Sequence, residues 1–174
     1  MKKVLLIALL GTFVVSCGNT ENKKKEAESA VMEHTHDHAP APDSGKTATA
    51  QAGEILLEST DQMTYVTNEI KVKAGEKVTL TLKHIGKMSK DIMGHNFVLL
   101  KKGTDIAAFA GAAVNAKDTD YVPAGSPDVI AHTKMIGGGE SVTITFDAPE
   151  AGTYDFICSF PGHYSMMKGK FIVE

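Results

Sequence analysis

The chain has 174 residues, enough for one domain and a tail. Its hydrophobic content of 43%, with few aromatic residues and no tryptophan, is ordinary for a soluble domain. The net charge is -3 and every basic residue is a lysine, so the composition gives no reason to expect nucleic acid as a partner.

Residues 1–16 resemble an export signal. Positive charge at Met1 to Lys3 is followed by an almost wholly apolar run from Val4 to Val15, which is too short for a stable transmembrane helix. Cys17 directly follows a small residue, as in bacterial lipoprotein signals, which implies cleavage before Cys17 and attachment of lipid to it. We therefore expect a lipid-anchored protein of the cell envelope, at the outer rather than the inner membrane, with its domain in the periplasm.

Residues 17–52 are expected to form a disordered tether. Asn19 to Ser29 is rich in Lys and Glu, the stretch from Ala39 is rich in Ala, Pro, Ser, Thr and Gly, and neither shows a hydrophobic period. Between them, three alternating histidines could collect Cu(II) or Zn(II) weakly, or could simply belong to a solvated linker. These histidines are His34, His36 and His38.

Residues 53–174 have the pattern of a β-sheet domain. Runs of alternating apolar and polar residues recur between turn signals such as Lys73–Glu76, Gly137–Gly139 and Pro149–Gly152. The predicted strands are Ile55–Glu58, Met63–Ile70, Val78–His84, Asn96–Leu100, Val129–Met135, Ser141–Phe146, Thr153–Cys158 and Lys168–Val173. A short helix is predicted for Ile106–Ala116. About eight short strands predict an all-β sandwich or barrel with one helical insertion.

A loop near the end of the chain concentrates soft metal ligands. Cys158, His163, Met166 and Met167 lie close together in sequence, and Pro161-Gly162 forces a turn between the thiol and the imidazole. A thiolate, imidazoles and a weak thioether are the ligand types of a blue-copper electron-transfer site. Such a site needs a second histidine from elsewhere in the chain.

His95 is the candidate for that second histidine. It lies at the start of a predicted strand, directly after Gly94, and glycine permits a close approach of the backbone to a ligand. Metal binding would also protect Cys158, because lipidation of Cys17 leaves the Cys158 thiol without a disulfide partner in an oxidising compartment.

Two motifs resemble the azurins of the cupredoxin family: the segment Met93-Gly94-His95-Asn96, and the Cys-x4-His-x3-Met spacing from Cys158 to Met167. The resemblance extends from Gly53 to Glu174, and the spacing favours azurins over plastocyanins, in which the Cys-to-His spacing is shorter. It implies a cupredoxin-like, eight-stranded Greek-key β-sandwich or barrel that binds one type 1 copper ion.

The resemblance also implies a role for each matching residue. The implied copper ligands are His95, Cys158 and His163 in one plane, Met167 as the axial thioether and the Gly94 carbonyl opposite it. Asn96 is expected to tie the two ligand segments together, with Phe160 beside them. Where Met166 and Met167 compete for the axial role, the resemblance selects Met167.

In azurins a copper-binding histidine emerges through an apolar patch at which redox partners dock, and the matching residue here is His163. The other matching positions, called the apolar patch below, are Met63, Met88, Ile92, Met93, Phe160, Pro161, Gly162 and Met166. Methionine-rich surfaces adapt to several partners. For Met166, surface patch and core packing both remain open.

Two further histidines match azurin residues that do not bind copper. His84 shares the parity of the apolar residues of its strand, so we expect a buried, hydrogen-bonded core histidine, whereas His132 matches a surface histidine. The chain departs from azurins in two places within the domain. Gly53 and Glu76 stand where azurins have a disulfide, and Phe97 stands where they often have a buried tryptophan.

The resulting interpretation is an electron carrier that shuttles one electron by Cu(II)/Cu(I) cycling between envelope redox proteins, such as c-type cytochromes, peroxidases or reductases. The alternative is an envelope copper store or chaperone. We do not expect an enzyme, because Cys158 lies between Ile157 and Ser159 rather than beside the histidines that relay electrons in copper oxidases. We expect a monomer.

Overall fold

A computed structural model describes residues 47–49 and 54–174. The predicted signal segment, Cys17 and the three tether histidines lie outside these residues. In the described part, the strands are β1 (Thr47–Thr49), β2 (Glu54–Thr60), β3 (Thr64–Tyr65), β4 (Glu69–Val72), β5 (Lys77–His84), β6 (Val98–Leu100), β7 (Val129–His132), β8 (Ser141–Asp147), β9 (Gly152–Ile157) and β10 (Lys168–Val173). The α-helices are α1 (Lys90–Met93) and α2 (Ile106–Ala113), and the 3₁₀ helices are Lys117–Thr119 and His163–Ser165.

The strands form two sheets that face each other across one core. The six-stranded sheet has the order β1-β4-β10-β9-β6-β7, and the four-stranded sheet has the order β3-β2-β5-β8. Pairing is mixed, since β2 runs parallel to β5 while β5 and β8 are antiparallel. The prediction of an all-β sandwich with a short helical insertion is confirmed. No helix among the described residues reaches the length and apolar character that a membrane crossing needs.

The core follows from the alternation seen in the sequence. In β5, Val78, Leu80, Leu82 and His84 are buried while the residues between them face outward. Phe97 is fully buried beside other aromatic rings, so it fills the position of the tryptophan with no N–H group to satisfy. Burial of each large apolar side chain contributes about 1.5–3 kcal/mol.

Helix α2 covers the opposite face of the six-stranded sheet. The Asp105 carboxylate accepts the amide hydrogens of Ala107 and Ala108, both at 3.0 Å, and so caps the first turn of the helix. Phe109 then packs into a second apolar cluster with one loop residue and with the residues of β6 and β9 that face away from the main core. The residues it joins are Val98, Leu100, Val122 and Ile157. The helix thereby shields the strand that leads to Cys158.

One prediction about the strands is wrong. Met63–Ile70 is not one strand, because β3 pairs with β2 in one sheet while β4 pairs with β10 in the other. A two-residue period is the same on both sides of that crossing, so the pattern could not reveal it. Thr47–Thr49, which belongs to the range 17–52 predicted as a tether, pairs in parallel with β4 and covers one edge of that strand.

Candidate metal centre

Three buried side chains converge at one end of the core. The ligand atoms of His95, Cys158 and His163 all lie within 4.8 Å of one another. The Cys158 Sγ atom is 3.9 Å from His95 Nδ1 and 3.7 Å from His163 Nδ1. His95 lies before β6, in an isolated bridge with Ile136, and Cys158 directly follows β9. The structure therefore joins the two predicted ligand segments at a single point.

The loop from Cys158 to Met167 closes on itself through backbone contacts. Gly162 has a φ of 85°, a left-handed conformation that glycine adopts without strain, and it starts the 3₁₀ helix that carries His163. The Met167 amide donates to the His163 carbonyl at 2.8 Å, and the Cys158 amide donates to the Met167 carbonyl at 2.9 Å. This brings Met167 back beside Cys158.

The two adjacent methionines have opposite surroundings. Met167 is fully buried in the same core cluster as Cys158, whereas the side chain of Met166 is 59% exposed. The sequence left open whether Met166 belongs to the surface or to core packing, and the structure places it on the surface. Met167 is therefore the methionine of this loop whose thioether belongs to the buried group.

Gly94 makes a close approach that other residues could not make. A Cβ atom at this position would lie 2.5 Å from the Lys90 carbonyl oxygen and 3.0 Å from Met135 Sδ. The Gly94 carbonyl oxygen itself is 3.9 Å from Cys158 Sγ. Glycine thus lets the carbonyl face the ligand atoms from the end of α1.

Asn96 links the two ligand segments with its side-chain amide. Its Oδ1 accepts the Ser159 amide hydrogen at 2.9 Å, and its Nδ2 donates to Ser159 Oγ at 2.9 Å. Nδ2 also donates to the Asp120 carbonyl at 2.9 Å. Because Asn96 follows His95 and Ser159 follows Cys158, these bonds hold the two ligands in a fixed relation. Asn96 therefore makes the link that the sequence analysis expected of it.

The protonation of the two imidazoles suits metal binding. His95 Nε2 is 2.9 Å from the Thr60 carbonyl, which can only accept, so the hydrogen is on Nε2 and the lone pair of Nδ1 faces Cys158. Burial lowers the pKa of His95 and of His163 to about 4. Both rings are consequently neutral at physiological pH, the state in which imidazole binds a metal.

The thiol is protonated when no metal is bound. Burial raises the pKa of Cys158 to about 12, and backbone hydrogen bonds from Asn96 and Phe160 offset part of that rise. Since a metal binds the thiolate, metal binding at neutral pH must release this proton. A soft sulfur, two neutral imidazoles and a buried thioether fit copper, and the backbone amides near the sulfur can tune its reduction potential.

The two other histidines of the domain stay outside the ligand group. His84 is fully buried, and its ring centroid is 4.4 Å from that of His95. Its Nε2 is 3.2 Å from Asp61 Oδ1, but within the described residues neither ring nitrogen forms an aligned hydrogen bond. The expected burial of His84 is observed, and the Asp61 carboxylate is its polar neighbour. His132 is exposed, as expected.

The residues of the apolar patch have mixed exposure. Met88, Ile92 and Met166 are exposed hydrophobic side chains, and Gly162 is exposed as well. Four others are half-buried, namely Met63, Met93, Phe160 and Pro161. His163 is only 4% exposed, and the Phe160 ring lies 4.6 Å from its ring. His163 is therefore almost covered, with Phe160 of the patch against its ring.

Sequence reasoning missed two groups that shape the site. The Thr60 carbonyl fixes the tautomer of His95, and the Asp120 carbonyl accepts from Asn96. Both are backbone atoms, so the residue type at these positions carries no signal for their role. Ser159, which bonds twice to Asn96, could have been suggested by its place next to Cys158.

Without copper, the stability of the protein should rise with pH between about 4 and 6.5. The pKa values of His95 and His163 are lowered in the folded state, so unfolding takes up protons in this window. The stabilisation is complete above the unfolded pKa of 6.5 and is lost as the pH falls towards 4. Each proton contributes a slope of about 1.4 kcal/mol per pH unit.

Urea unfolding of the copper-free protein at several pH values measures this slope. His163→Gln should remove one proton's share of the slope, whereas Met166→Leu, which changes an exposed side chain of the same loop that does not titrate, should leave the slope unchanged. A free energy of unfolding that stays flat or falls as the pH rises from 4 to 6.5 would contradict the burial of the two neutral rings.

Comparison with known proteins agrees with this geometry. Residues 51–174 match the family of copper binding proteins described as plastocyanin/azurin. Azurin-2 of Alcaligenes xylosoxydans xylosoxydans is 48% identical over 120 residues, which cover 67% of this chain and 93% of that protein. Outer membrane protein H.8 of Neisseria meningitidis is 45% identical over 117 residues, covering 66% of this chain and 63% of that protein.

A solved azurin has the same fold. The azurin Az-iso2 of Methylomonas sp. strain J is 37% identical, with a TM-score of 0.65, over 71% of this chain and 99% of that chain. His95, Cys158 and His163, with Met167, are arranged here as a blue copper site. The chain therefore belongs to the plastocyanin/azurin family of copper-binding proteins, as a blue copper electron-transfer protein.

Proposed function

We propose that this protein carries single electrons between redox proteins of the bacterial cell envelope and performs no substrate chemistry of its own. The observation that carries the proposal is the buried convergence of His95, Cys158 and His163. These residues would hold a copper ion, together with the Met167 thioether and the Gly94 carbonyl, which lie beside Cys158. A bound copper ion would supply the Cu(II)/Cu(I) couple, and this mixed ligand set suits both oxidation states.

The buried surroundings of the ligands favour a carrier. Asn96 holds the ligand segments together and Thr60 fixes the His95 ring, so the protein itself sets the arrangement of the donor atoms. A rigid donor set reduces the rearrangement that accompanies a change of oxidation state. The protein-imposed geometry thus supports repeated electron transfer better than tight storage of one oxidation state.

We assign the apolar patch as the surface through which electrons enter and leave, with His163 as its centre. The patch combines exposed Met88, Ile92 and Met166 with the Phe160 ring against His163. Electron-transfer encounters are small and weak because turnover requires release, and a methionine-rich patch suits several partners. We assign redox proteins such as c-type cytochromes, peroxidases or reductases as the partners that dock here. We assign the protein itself as a monomer, which leaves this surface free for them.

His163→Gly should open the site to external ligands and slow electron exchange. The substitution removes one proposed imidazole ligand from an almost covered position. Loss of a residue that only hydrogen-bonds to a metal ligand lowers metal affinity by about 10–100-fold, so copper affinity should fall by at least that factor here. Added imidazole should restore the spectrum by filling the vacated space. Electron self-exchange of this variant, measured by NMR line broadening, should remain slower than that of the wild-type protein when imidazole is present. An unchanged exchange rate would contradict His163 as the exit, and His132→Gly is the matched control.

We further propose that lipid on Cys17 anchors the protein to the envelope, most simply at the outer membrane, through the tether 17–52. The sequence of residues 1–17 supports this, and so does the name of the relative Outer membrane protein H.8. Metabolic labelling with a radioactive fatty acid tests the anchor. Label should enter the wild-type protein and be absent from Cys17→Ala, and label retained in that variant would contradict the assignment.

The alternative function is an envelope copper store or chaperone. The exposed methionines of the patch favour it, together with the tether histidines His34, His36 and His38 as a possible weak collection site. A Cu(I) chelator discriminates between the two functions. A carrier should keep its reduced copper through many oxidation cycles, whereas a chaperone should pass Cu(I) rapidly to the chelator or to an acceptor protein.

A further inference from the structure

Two consecutive residues near the metal centre have a backbone conformation that side chains disfavour. Asp120 has a φ of 57° and Tyr121 a φ of 58°, both in the left-handed region. Among the described residues that are not glycine, Met63 alone shares this feature. A strained conformation of this kind persists only where the surrounding structure fixes it, and it often marks a functional site.

The corner that these two residues form is closed by its own hydrogen bonds. The Asp120 amide donates to the Lys117 carbonyl at 3.2 Å, and the Tyr121 amide donates to the Ala116 carbonyl at 2.8 Å. Thr119 Oγ1 also donates to the Val122 carbonyl at 2.7 Å. The corner is therefore a compact unit that can hold other segments in place.

Asp120 uses both its backbone and its side chain to reach the segment that carries His95. Its carbonyl accepts from Asn96 Nδ2 at 2.9 Å, and its Oδ1 accepts the Met135 amide hydrogen at 3.1 Å. Met135 packs against Gly94, and the next residue, Ile136, exchanges two backbone hydrogen bonds of 2.9 Å with His95. Asn96 directly follows His95, and Met135 directly precedes Ile136, the bridge partner of His95. Both contacts of Asp120 therefore hold the His95 segment.

Tyr121 reaches the other ligand segment. Its ring meets the edge of the Phe160 ring at a centroid distance of 5.3 Å, and the Phe160 ring lies 4.6 Å from the ring of His163. The two neighbouring residues therefore contact both halves of the metal centre, although neither supplies a ligand.

We propose that Asp120 is a positioning residue, which holds the His95 segment in place before metal binds through its own bonds to Asn96 and Met135. Its hold on the Cys158–His163 loop is indirect, through the bonds of Asn96 to Ser159 and the contact of Tyr121 with Phe160. Asp suits this role because it tolerates the left-handed region better than most residues and brings a carboxylate for Met135. The inference rests on the proposed ligand set, and it adds a third segment, outside both ligand segments, to the structure that fixes their geometry.

The test compares three substitutions in the full-length protein. Asp120→Ala removes the carboxylate and disfavours the conformation, whereas Asp120→Asn keeps an acceptor and the conformation. Asp118→Ala changes an exposed acid of the 3₁₀ helix that directly precedes Asp120. Two readouts need no electron transfer. These are hydrogen exchange of the Ser159 and Met135 amides in the copper-free protein, and copper affinity under conditions where all variants are folded.

For Asp120→Ala we expect faster exchange at both amides and a loss of copper affinity of about tenfold or more, together with a shifted reduction potential. Asp120→Asn should retain the wild-type amide exchange, copper affinity and reduction potential, and so should Asp118→Ala. If Asp120→Ala does not fold, Asp120→Gly keeps the corner and tests the carboxylate alone, with faster exchange at Met135 expected.

A folded Asp120→Ala protein with wild-type exchange, affinity and potential would overturn the proposal, and so would Asp120→Asn that behaves like Asp120→Ala. In the Asp120→Gly fallback, unchanged Met135 exchange would overturn it. Failure of the proposed ligand set looks different, because the wild-type protein itself would then show no copper–thiolate absorption.

Discussion

Cys158→Ser should abolish the visible thiolate-to-Cu(II) absorption band of the copper-loaded protein. Serine lacks the sulfur from which that charge transfer starts, and its hydroxyl is a poor ligand for copper. Copper affinity should fall by more than about 100-fold, because even the loss of a residue that only hydrogen-bonds to a metal ligand lowers the affinity by about 10–100-fold. The fold should survive, since the new hydroxyl can donate to His95 Nδ1 or His163 Nδ1, which lie close to the Cys158 sulfur.

Absorption spectroscopy and a copper titration measure this change. Met166→Leu is the matched control, because it removes an exposed sulfur from the same loop and should leave the band and the affinity unchanged. Met167→Leu, at the buried position, should keep the band but shift the reduction potential. An intense band that survives in Cys158→Ser would contradict Cys158 as the thiolate ligand.

Removal of copper should destabilise the protein strongly. The metal binds only the folded arrangement of His95, Cys158 and His163, so it stabilises that state by mass action. The gain in unfolding free energy should be about 4 kcal/mol when free copper is about 1,000 times its dissociation constant. This linkage matters here because Gly53 and Glu76 cannot form the disulfide that azurins have at the matching positions.

Chemical unfolding with and without copper measures the linkage. Zn(II), which binds thiolate and imidazole ligands but is colourless, should also stabilise the protein, and Cys158→Ser should lose most of the effect of either metal. Equal unfolding free energies for the copper-loaded and copper-free wild-type protein would show that the converged side chains do not form a metal site.

The site was largely predictable because its loop is local in sequence. Cys158 and His163 flank the turn that Pro161-Gly162 forces, so their spacing alone indicates convergence. Met167 was preferred to Met166 only through the resemblance to azurins. His95 is distant in sequence and was assigned through its resemblance to azurins. The exposure of Met166 could not be decided from spacing, because it depends on how the 3₁₀ helix ends.

What the sequence could not predict depends on backbone atoms and on the choice of strand partner. The Thr60 and Asp120 carbonyls act on the site whatever their side chains are. The break between β3 and β4 occurs where the chain changes sheets, and both halves keep the same two-residue period. The placement of Asp61 at 3.2 Å from His84 Nε2 likewise depends on how two segments distant in sequence meet, which no sequence pattern encodes.

A reductive titration of the copper-loaded protein, followed by visible absorption, tests directly whether the converged side chains form a blue copper site. We expect an intense thiolate-to-Cu(II) band that one electron equivalent per protein bleaches fully and that reoxidation restores, with copper retained throughout. Absence of the band in the oxidised protein, or release of copper on reduction, would contradict a blue copper site built by His95, Cys158, His163 and Met167.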